Sequence, residues 1–491
     1  MIIKIFKLIN LEILVKAAQL VLALVILVTI HEFGHYIFAR IFGVKVTRFF
    51  LFFNPWFSIL RYDPMKGTLE FIAPGERKDG TWPKPLKTWQ VSKPHQPRPD
   101  GKPTWRDTVY GLGWLPLGGY CAIAGMVDET QDSSKLAAEP QSWELRSKPA
   151  WQRLCVMAAG VVLNFVLAIC IYIGIAFHWG DDVVAYQDMS EGMNFCPELK
   201  EAGFRDGDIL QTLDGKPLEA ADYSAGWDML QPGARVGVLR NGAEVEIVVP
   251  GEVIRSLLAK GKDAVPMRAR IPVVVGKTVA GGNAIKAGLQ PLDRILTVDG
   301  DTTGFIETFK ESLAAHKGET VPLGIVRGDS TMVIPVEITD GGTIGIQMLS
   351  PIDIFKRTKI NYNLFEAIPR GWEIGTGQLS NYVSSLGLVF TKEGAQSLGG
   401  FATLGDLFPT RWNWEAFWQI TAFLSIILAF MNIIPIPALD GGYILFLLVE
   451  IVTRRKPSDR FLEIANTIGF FFLLALLFYA NGNDLYRIFF K

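Results

Sequence analysis

A metal-binding pattern lies inside an apolar segment that is long enough to cross a membrane. The pattern, His31-Glu32-Phe33-Gly34-His35, is embedded in residues 17–41, most of which are apolar. On a helix, His31 and His35 share one face, because side chains at i and i+4 are neighbours, so both imidazoles can bind one metal ion. Glu32 lies beside them and can accept a proton from a water that the metal activates. Since a charged group at mid-membrane costs roughly 2.5–3.5 kcal/mol on insertion scales, these side chains indicate hydrolysis within the bilayer.

The pattern is expected beyond the middle of the membrane. Lys16 is the last charged residue before it, and His31 follows 15 residues later. That separation is about 22 Å along a helix that rises 1.5 Å per residue. Because the hydrocarbon core is about 30 Å thick, a span that enters at Lys16 brings His31 toward the far leaflet.

Four apolar segments predict a polytopic α-helical membrane protein. We place the transmembrane helices at residues 1–42, 151–179, 412–442 and 461–480. The connection at 43–150 and the short connection after Thr453 are rich in Lys and Arg, so the positive-inside rule assigns both to the cytoplasm. Both termini and the stretch 180–410 are then expected outside. The first segment holds the metal pattern and lacks a small-residue cleavage site, which does not fit a cleaved signal peptide.

The composition supports this fold class. Hydrophobic residues make up 49% of the 491-residue chain, which is a high share for a water-soluble protein, yet the length leaves room for soluble modules. The net charge of −1 gives no basis for nucleic-acid binding. Four cysteines are too few for a disulfide framework.

A carboxylate late in the chain is the best candidate for a third metal ligand. Zinc in hydrolases usually takes three protein ligands and one water, and the remaining histidines lie in unrelated segments (His95, His178 and His316). Asp440 follows Pro435 and Pro437, which interrupt the third span. Unwound backbone at membrane depth is tolerated only where protein or a cavity surrounds it, so an acid there needs a partner such as a metal ion. The alternative is an ordinary turn residue before Gly441-Gly442.

The two segments together resemble the site-2 protease family of intramembrane zinc metalloproteases. The HExxH pattern and the later pattern Asn432-x-x-Pro-x-Pro-x-Leu-Asp440-Gly match the family motifs. The likeness covers nearly the whole chain and is greatest to bacterial members with four spans and two external PDZ domains. The resemblance implies that His31, His35 and Asp440 hold one Zn²⁺ per chain and that Glu32 is the general base. It also implies that Asn432 helps to hold substrate or the developing oxyanion, although a buried Asn in a span can instead form an interhelical hydrogen bond.

The second span carries one further family feature. Its residues Gly160-Val-Val-Leu-Asn164 match a Gly-x-x-x-Asn pattern. For Asn164, a role in helix packing and a role in substrate binding are both open at this point.

Two stretches of the cytoplasmic connection are too apolar for a free loop. Residues 44–60 and 109–126 resemble the membrane-re-entrant β-hairpin and the substrate-binding edge strand of the family. An edge strand can pair with an unwound substrate, whereas the carbonyl groups of an intact helix are shielded. The segment Gly118-Gly119-Tyr120 is therefore a candidate substrate-binding site, and a purely structural hairpin is the alternative. The Pro-rich segment 63–106 predicts a loop or extended chain.

The external region contains a repeated sequence pattern. Residues 202–215 and 287–300 both indicate a short helix end, a turn, a strand and an Asp-Gly turn. The pattern resembles the core of bacterial PDZ domains, which we place at 182–270 and 272–345. Because PDZ grooves bind chain ends by strand addition, the modules are expected either to bind peptides or only to exclude bulky substrates.

The second repeat departs from the usual PDZ pattern before its strand. The second repeat has Leu292-Asp293 where the usual pattern is Gly-Asp. Beyond the repeats, residues 353–410 mix apolar and polar residues and predict amphipathic helices along the outer surface.

Together these features predict an intramembrane zinc endopeptidase of regulated intramembrane proteolysis. The expected substrates are single-span proteins already shortened on the outside, such as anti-sigma factors, and signal-peptide remnants. The expected location is the bacterial inner membrane, with the PDZ modules in the periplasm and the active site toward the cytoplasm. The intact base and ligands argue against a non-catalytic PDZ scaffold, and the scarcity of polar residues in the second and fourth spans argues against a metal transporter.

Overall fold

The computed structural model describes residues 2–75, 83–96, 98, 100–116, 118–126, 139–218, 229, 231–259, 265–279, 281–389 and 399–490. The chain forms two compact units, residues 1–179 with 362–491 and residues 180–361. The first unit holds the membrane-spanning helices and a β-sheet, and the second holds β-rich modules.

Four helices are long and apolar enough to span a membrane. The helices of the described residues are α1 (Ile2–Ile41), α2 (Ala150–Trp179), α3 (Pro197–Glu201), α4 (Gly251–Ala259), α5 (Asn283–Ala287), α6 (Ile306–Ala315), α7 (Pro351–Ile354), α8 (Leu364–Val389), α9 (Phe401–Asp406), α10 (Trp414–Ile433), α11 (Asp440–Thr453) and α12 (Asp459–Phe490). The candidate spans are Leu11–Ile41 of α1, Ala150–Trp179 of α2, Trp414–Ile433 of α10 and Arg460–Tyr486 of α12. These four candidates agree in number with the predicted spans, and the chain is an integral membrane protein.

Helix α2 is the centre of the membrane unit. It packs against α1, α8, α10 and α11, and small residues allow these close approaches. A β-carbon on Gly34 of α1 would lie 2.6 Å from the carbonyl oxygen of Ala159 and 2.8 Å from the backbone nitrogen of Gly160. Ala168 of α2 lies in a buried cluster with Ala422 of α10. Helices α1 and α2 therefore cross at the level of the metal pattern.

The third span ends earlier than predicted, and a separate helix follows it. Helix α10 ends at Ile433 and α11 begins at Asp440. The intervening loop contains Pro435 and Pro437, which fix φ and remove backbone donors. The predicted segment 412–442 thus holds one span, a loop and the first turn of α11.

Helix α8, which lies within the predicted external segment 353–410, packs against a spanning helix. Helix α8 runs beside the spanning helix α2, where a β-carbon on Gly371 would lie 2.5 Å from the backbone nitrogen of Ile173. Gly375 follows one turn later on the same face. These glycines allow α8 to pack closely against α2. Residues 390–398 of the segment lie outside the described residues.

The connection between α1 and α2 forms a six-stranded sheet. The strands of the described residues are β1 (Val46–Leu51), β2 (Phe57–Asp63), β3 (Thr68–Pro74), β4 (Lys87–Gln90), β5 (Val109–Leu112), β6 (Tyr120–Ile123), β7 (Asp181–Val183), β8 (Met193–Phe195), β9 (Ile209–Leu213), β10 (Lys216–Pro217), β11 (Arg235–Arg240), β12 (Ala243–Val248), β13 (Met267–Ala269), β14 (Val273–Thr278), β15 (Arg294–Val298), β16 (Asp301–Thr302), β17 (Thr320–Arg327), β18 (Ser330–Glu337), β19 (Ile346–Met348) and β20 (Thr358–Ile360). The sheet has the order β4-β3-β2-β5-β1-β6. Its last strand, β6, lies at one edge.

The two apolar stretches of this connection meet within the sheet rather than as an isolated hairpin. Strand β1 pairs in parallel with β5 and antiparallel with β6. The Pro-rich segment, predicted as a loop or extended chain, supplies β3 and β4. Val46 of β1 and Ile123 of β6 form a buried cluster with Ala39 of α1. The sheet is therefore anchored on the helix that carries the metal pattern.

The second unit contains two hydrophobic cores that divide near residue 270. One core lies around β9, β11 and β12, and the other lies around β14, β15 and β17. Their larger sheets have the orders β10-β9-β11-β12 and β18-β17-β15-β14-β19, with β16 paired to β15.

Both cores carry the same ion pair between a buried Asp and a partly exposed Arg, so the sequence repeat is also a structural repeat. Arg240 donates two hydrogen bonds of 2.7 Å to Asp208. Arg327 donates hydrogen bonds of 2.7 and 2.6 Å to Asp293. Such two-pronged bonds hold a planar guanidinium and a carboxylate in one geometry. Each pair fixes the turn that precedes β9 or β15.

Leu292 takes a backbone conformation that glycine usually takes. Its φ is +72°, and Gly207, the equivalent residue of the first repeat, has a φ of +95°. The left-handed region is unfavourable for a residue with a β-carbon. Since the Leu292 side chain is 71% exposed, packing offers little to offset this strain.

Candidate metal centre

Helix α1 presents both histidines toward α2. His31 and His35 lie one turn apart, and their rings meet edge-on with centroids 4.8 Å apart. Gly160 of α2 stands opposite them, where a β-carbon would lie 2.5 Å from His35 Nε2 and 2.7 Å from His31 Cε1. Because protein interiors are close-packed, the absence of a side chain at this point makes room for the two imidazoles.

The loop at 434–439 brings Asp440 to the same place. Asp440 is the first residue of α11 rather than a turn residue, and the helix N-terminus favours its negative charge. Gly441 and Gly442 allow the loop to fold over the first turn, because β-carbons there would press on the loop's own carbonyl groups. The two glycines therefore allow Asp440 to lie close to the histidines.

The three side chains converge on one point through their donor atoms. His31 Nε2 and His35 Nε2 lie 3.3 Å apart, and Asp440 Oδ2 lies 3.2 Å from the first and 3.3 Å from the second. Donor atoms about 2.0–2.1 Å from a tetrahedral zinc ion are separated by about 3.3 Å, so the triangle fits zinc. Asp440 Oδ2 is buried and has no hydrogen-bond partner of suitable geometry. Within the described part of the chain, this is the one group of three His, Cys, Asp or Glu residues arranged to hold a metal ion.

Contacts behind the imidazoles leave their Nε2 atoms for a metal. His35 Nδ1 lies 2.9 Å from the Val156 carbonyl oxygen, which can only accept, so Nδ1 donates. Asn164 Nδ2 lies 3.3 Å from His31 Nδ1, and Asn164 Oδ1 is buried without a hydrogen-bond partner. A metal at Nε2 places the proton of His31 on Nδ1, and Asn164 Oδ1 accepts it when the oxygen and nitrogen of the amide are interchanged. Such partners fix the orientation of metal-binding histidines.

The donor triangle opens into a cavity of about 210 Å³. Glu32 lines this cavity, and the backbone N–H of Cys121 in β6 donates a hydrogen bond to its carboxylate. A β-carbon on Gly119 would lie 2.9 Å from Val28 Cγ1 and 3.5 Å from Glu32 Cγ. The lack of a side chain at Gly119 therefore lets the end of β6 approach α1. A carboxylate, a candidate zinc site and an edge strand share one cavity.

The predicted substrate-binding residues differ in their access to the cavity. Gly119 and Tyr120 line it, and Gly118 precedes them with a φ of +147°. Asn432 Nδ2 lies 3.5 Å from His31 Nε2, which is close enough to contact a group held at the donor triangle. Asn164 is fully buried behind His31, so its position favours the packing alternative over contact with substrate.

Two residues of the cavity were missed by the sequence analysis. Asn466 of α12 and Tyr443 of α11 line it, and Asn466 Nδ2 donates a hydrogen bond of 2.7 Å to the Tyr443 hydroxyl. The signal was an amide inside an otherwise apolar span, which usually marks a functional or packing contact. Its partners are not readable from the sequence, because they come from another helix.

Comparison with known proteins agrees with this geometry. A model of peptidase family M50 matches residues 19–69 and 101–476. The chain belongs to peptidase family M50. The unmatched residues 70–100 fall within the Pro-rich segment. The predicted membership of the site-2 protease family is confirmed, and this M50 protein is a zinc metalloprotease.

Several relatives match this M50 protein over nearly its whole length. It is 25% identical over 497 residues to the regulator of sigma E protease of Haemophilus influenzae. That alignment covers 95% of this chain and 98% of the relative. It is 26% identical over 514 residues to protease RseP of Yersinia pestis, in an alignment that covers 97% of this chain and 100% of the relative. A Neisseria meningitidis protein with the provisional name of zinc metalloprotease is 26% identical over 494 residues. That alignment covers 95% of this chain and 98% of the relative.

Proposed function

We propose that this M50 protein cuts the transmembrane segments of single-span membrane proteins whose outer domains have already been removed. The observation that carries the proposal is the donor triangle of His31, His35 and Asp440, with edges of 3.2–3.3 Å, beside Glu32. These donors come from helices that span or adjoin the membrane. A metal site in that setting serves a substrate that is itself in the membrane.

In the proposed mechanism, His31, His35 and Asp440 hold one zinc ion per chain. Zinc bound there supplies a Lewis acid that makes water more acidic and a peptide carbonyl more electrophilic. Glu32 takes a proton from the attacking water and later gives it to the leaving amine nitrogen. The hydrogen bond from the Cys121 backbone N–H keeps the Glu32 carboxylate turned toward the cavity. Asn432 Nδ2 donates to the oxyanion that develops on the substrate carbonyl.

Strand β6 presents the substrate in an extended form. A peptide bond within an intact helix is shielded, whereas a strand added to a sheet edge exposes its carbonyl groups. Two observations support this role: β6 is the edge strand of its sheet, and Gly119 and Tyr120 line the cavity beside Glu32. The same sheet re-enters the membrane from the cytoplasmic side, in keeping with its apolar strands and its anchoring on α1.

The two repeated modules of residues 180–361 are PDZ domains that restrict access to the active site. Their matching turns, each held by a hydrogen-bonded Arg–Asp pair, support a shared domain type. The modules exclude substrates with large outer domains, and their grooves accept chain ends by strand addition.

The proposed substrates are anti-sigma factors and, as a second class, signal-peptide remnants. Two relatives carry names that connect them to sigma E or to protease RseP. We place the protein in the bacterial inner membrane with both termini and the PDZ domains in the periplasm. The basic connection at 43–150 and the basic residues after Thr453 support that orientation.

The test is cleavage of a single-span substrate in liposomes that contain the purified full-length protein. One substrate keeps its outer domain and a matched substrate lacks it, and mass spectrometry locates the cut. We expect a cut within the span of the shortened substrate and a rate at least about tenfold lower for the complete one, which is a difference of about 1.4 kcal/mol. Equal rates would contradict the proposed size filter, and a cut outside the span would contradict the proposed cleavage within the membrane.

A further inference from the structure

One face of helix α12 contacts the loop at 434–439, which precedes Asp440. Most of the described apolar side chains of α12 are exposed on the protein, as expected for a helix that faces lipid. Asn466 and Gly469 are three residues apart and therefore share a face. A β-carbon on Gly469 would collide with the carbonyl oxygen of Pro437. The helix and the loop thus lie in direct contact.

Asn466 joins the chain on both sides of Asp440. Its Oδ1 accepts a hydrogen bond of 3.3 Å from the backbone N–H of Ala438, two residues before Asp440. Its Nδ2 donates a hydrogen bond of 2.7 Å to the hydroxyl of Tyr443, three residues after Asp440. The orientation of the amide is fixed, because a backbone N–H can only donate.

The loop needs such a contact because its backbone is strained. Ala438 has a φ of +74°, in the left-handed region that is unfavourable for a residue with a β-carbon. Such a conformation persists only when the surroundings over-determine it. The hydrogen bond to Asn466 and the close approach of Gly469 supply two of the constraints.

We propose that Asn466 is a positioning residue that holds Asp440 at the donor triangle. In this role, α12 fixes the loop at 434–439 through hydrogen bonds on both sides of Asp440. This inference rests on the proposed function, because it takes Asp440 as a zinc ligand. Asn466 does not touch the metal; it acts through Ala438 and Tyr443. Outer partners of metal ligands typically change metal affinity by about 10–100-fold when they are removed.

The competing explanation is that Asn466 only helps α12 to pack. Interhelical hydrogen bonds of amide side chains are common in membranes and stabilise helix packing. Under that explanation the loss of the amide would lower the stability of the protein but leave zinc affinity unchanged. Zinc affinity therefore separates the two roles.

The experiment compares zinc retention in purified full-length variants during competition with a chelator. We expect Asn466→Leu to bind zinc at least about tenfold more weakly than the wild type. The matched control is Thr467→Leu, because Thr467 is exposed and bonds only to a carbonyl group of its own helix. Asp440→Asn serves as the reference for a lost ligand. Zinc affinity is read beside the unfolding temperature of the zinc-free protein.

Two further variants keep the inference testable if Asn466→Leu does not fold. Tyr443→Phe removes one hydroxyl, and Gly469→Ala pushes α12 away from the loop, so both should weaken zinc binding while Thr467→Leu does not. Wild-type zinc affinity in Asn466→Leu, or in both further variants, would overturn the positioning role and leave the proposed ligands untouched. Wild-type affinity in Asp440→Asn would instead overturn the proposed ligand set and, with it, this inference.

Discussion

A β-carbon on Gly160 would lie 2.5 Å from Nε2 of His35, far inside the distance at which such atoms normally pack. Gly160 thus belongs to the metal centre although it supplies no donor atom. Four residues later on the same helix, Asn164 contacts His31 Nδ1. One residue leaves room for the imidazoles and the other orients one of them, which explains the Gly-x-x-x-Asn pattern in physical terms.

Gly160→Ala should abolish zinc binding. The added methyl group must displace His31 or His35, since both rings lie within 3 Å of its position. We expect the zinc content of the purified protein, measured by mass spectrometry, to fall to about a tenth of the wild-type value or less. Gly174→Ala on the same helix is the control, because a β-carbon there meets nothing within 4 Å. Equal zinc contents in the two variants would refute this role of Gly160.

Gly119→Ala should lower cleavage without loss of zinc. A β-carbon there would lie 2.7 Å from the Phe50 carbonyl oxygen and 2.9 Å from Val28, so the end of β6 must move away from Glu32. A misplacement of about 1 Å can cost roughly 100-fold in rate, and we expect a loss between tenfold and that value in a cleavage assay. If the variant cuts a shortened single-span substrate at the wild-type rate, β6 does not present the substrate.

The sequence predicted the candidate metal ligands but not all of the residues that make room for them or position them. His31 and His35 were found because their spacing is local and their apolar setting makes them costly. Asp440 was selected by the prolines before it and by family resemblance, because no local rule connects it to α1. Asn466 and the space at Gly160 were missed, because both depend on which helix packs against which.

The fold shows the same limit. The four spans follow from length and hydropathy, which are local properties of the chain. Strands β3 and β4 were predicted only as a loop or extended chain, because prolines and charges surround them and their pairing partners are distant in sequence. The amphipathic pattern of α8 did not predict its packing against α2, because the close approach at Gly371 depends on a helix that is distant in sequence.

Leu292→Gly should stabilise the second β-rich module. Leu292 has a φ of +72° and an exposed side chain, so glycine removes strain while little packing is lost. We expect a gain on the order of 1 kcal/mol in the free energy of unfolding, measured by hydrogen exchange of strand β15 in the full-length protein. The reciprocal change Gly207→Ala should destabilise the first module. A loss of stability in Leu292→Gly would show that the leucine side chain makes a stabilising contact.

The second module should lose stability in acid through Asp293. Burial alone would raise the pKa of this carboxyl group, but hydrogen bonds from Arg327 and the Gln290 backbone lower the pKa further than burial raises it. The folded module therefore binds fewer protons than the unfolded chain. The contribution of the ion pair is complete above the ordinary Asp pKa of about 3.9 and disappears as the pH falls through the lowered value.

Asp293→Asn isolates this effect. At neutral pH we expect the variant to be less stable by about 1.5–3 kcal/mol, because the buried carboxylate loses its charge-assisted hydrogen bonds from the partly exposed Arg327. The difference in unfolding free energy between wild type and variant should shrink below about pH 4, where the carboxyl group of the unfolded wild-type chain takes up a proton that the folded module, with its lowered pKa, does not. A difference that stays constant down to strongly acidic pH would contradict the lowered pKa.

The most direct test of the account is the cleavage of a shortened single-span substrate in liposomes by the wild type and by Glu32→Gln, with zinc counted on the same samples. We expect one zinc ion per chain in both proteins, a cut within the span by the wild type, and a rate roughly 10²–10⁴-fold lower in the variant. Cleavage by zinc-loaded Glu32→Gln at the wild-type rate would contradict the central claim that Glu32 acts as the base beside the metal centre.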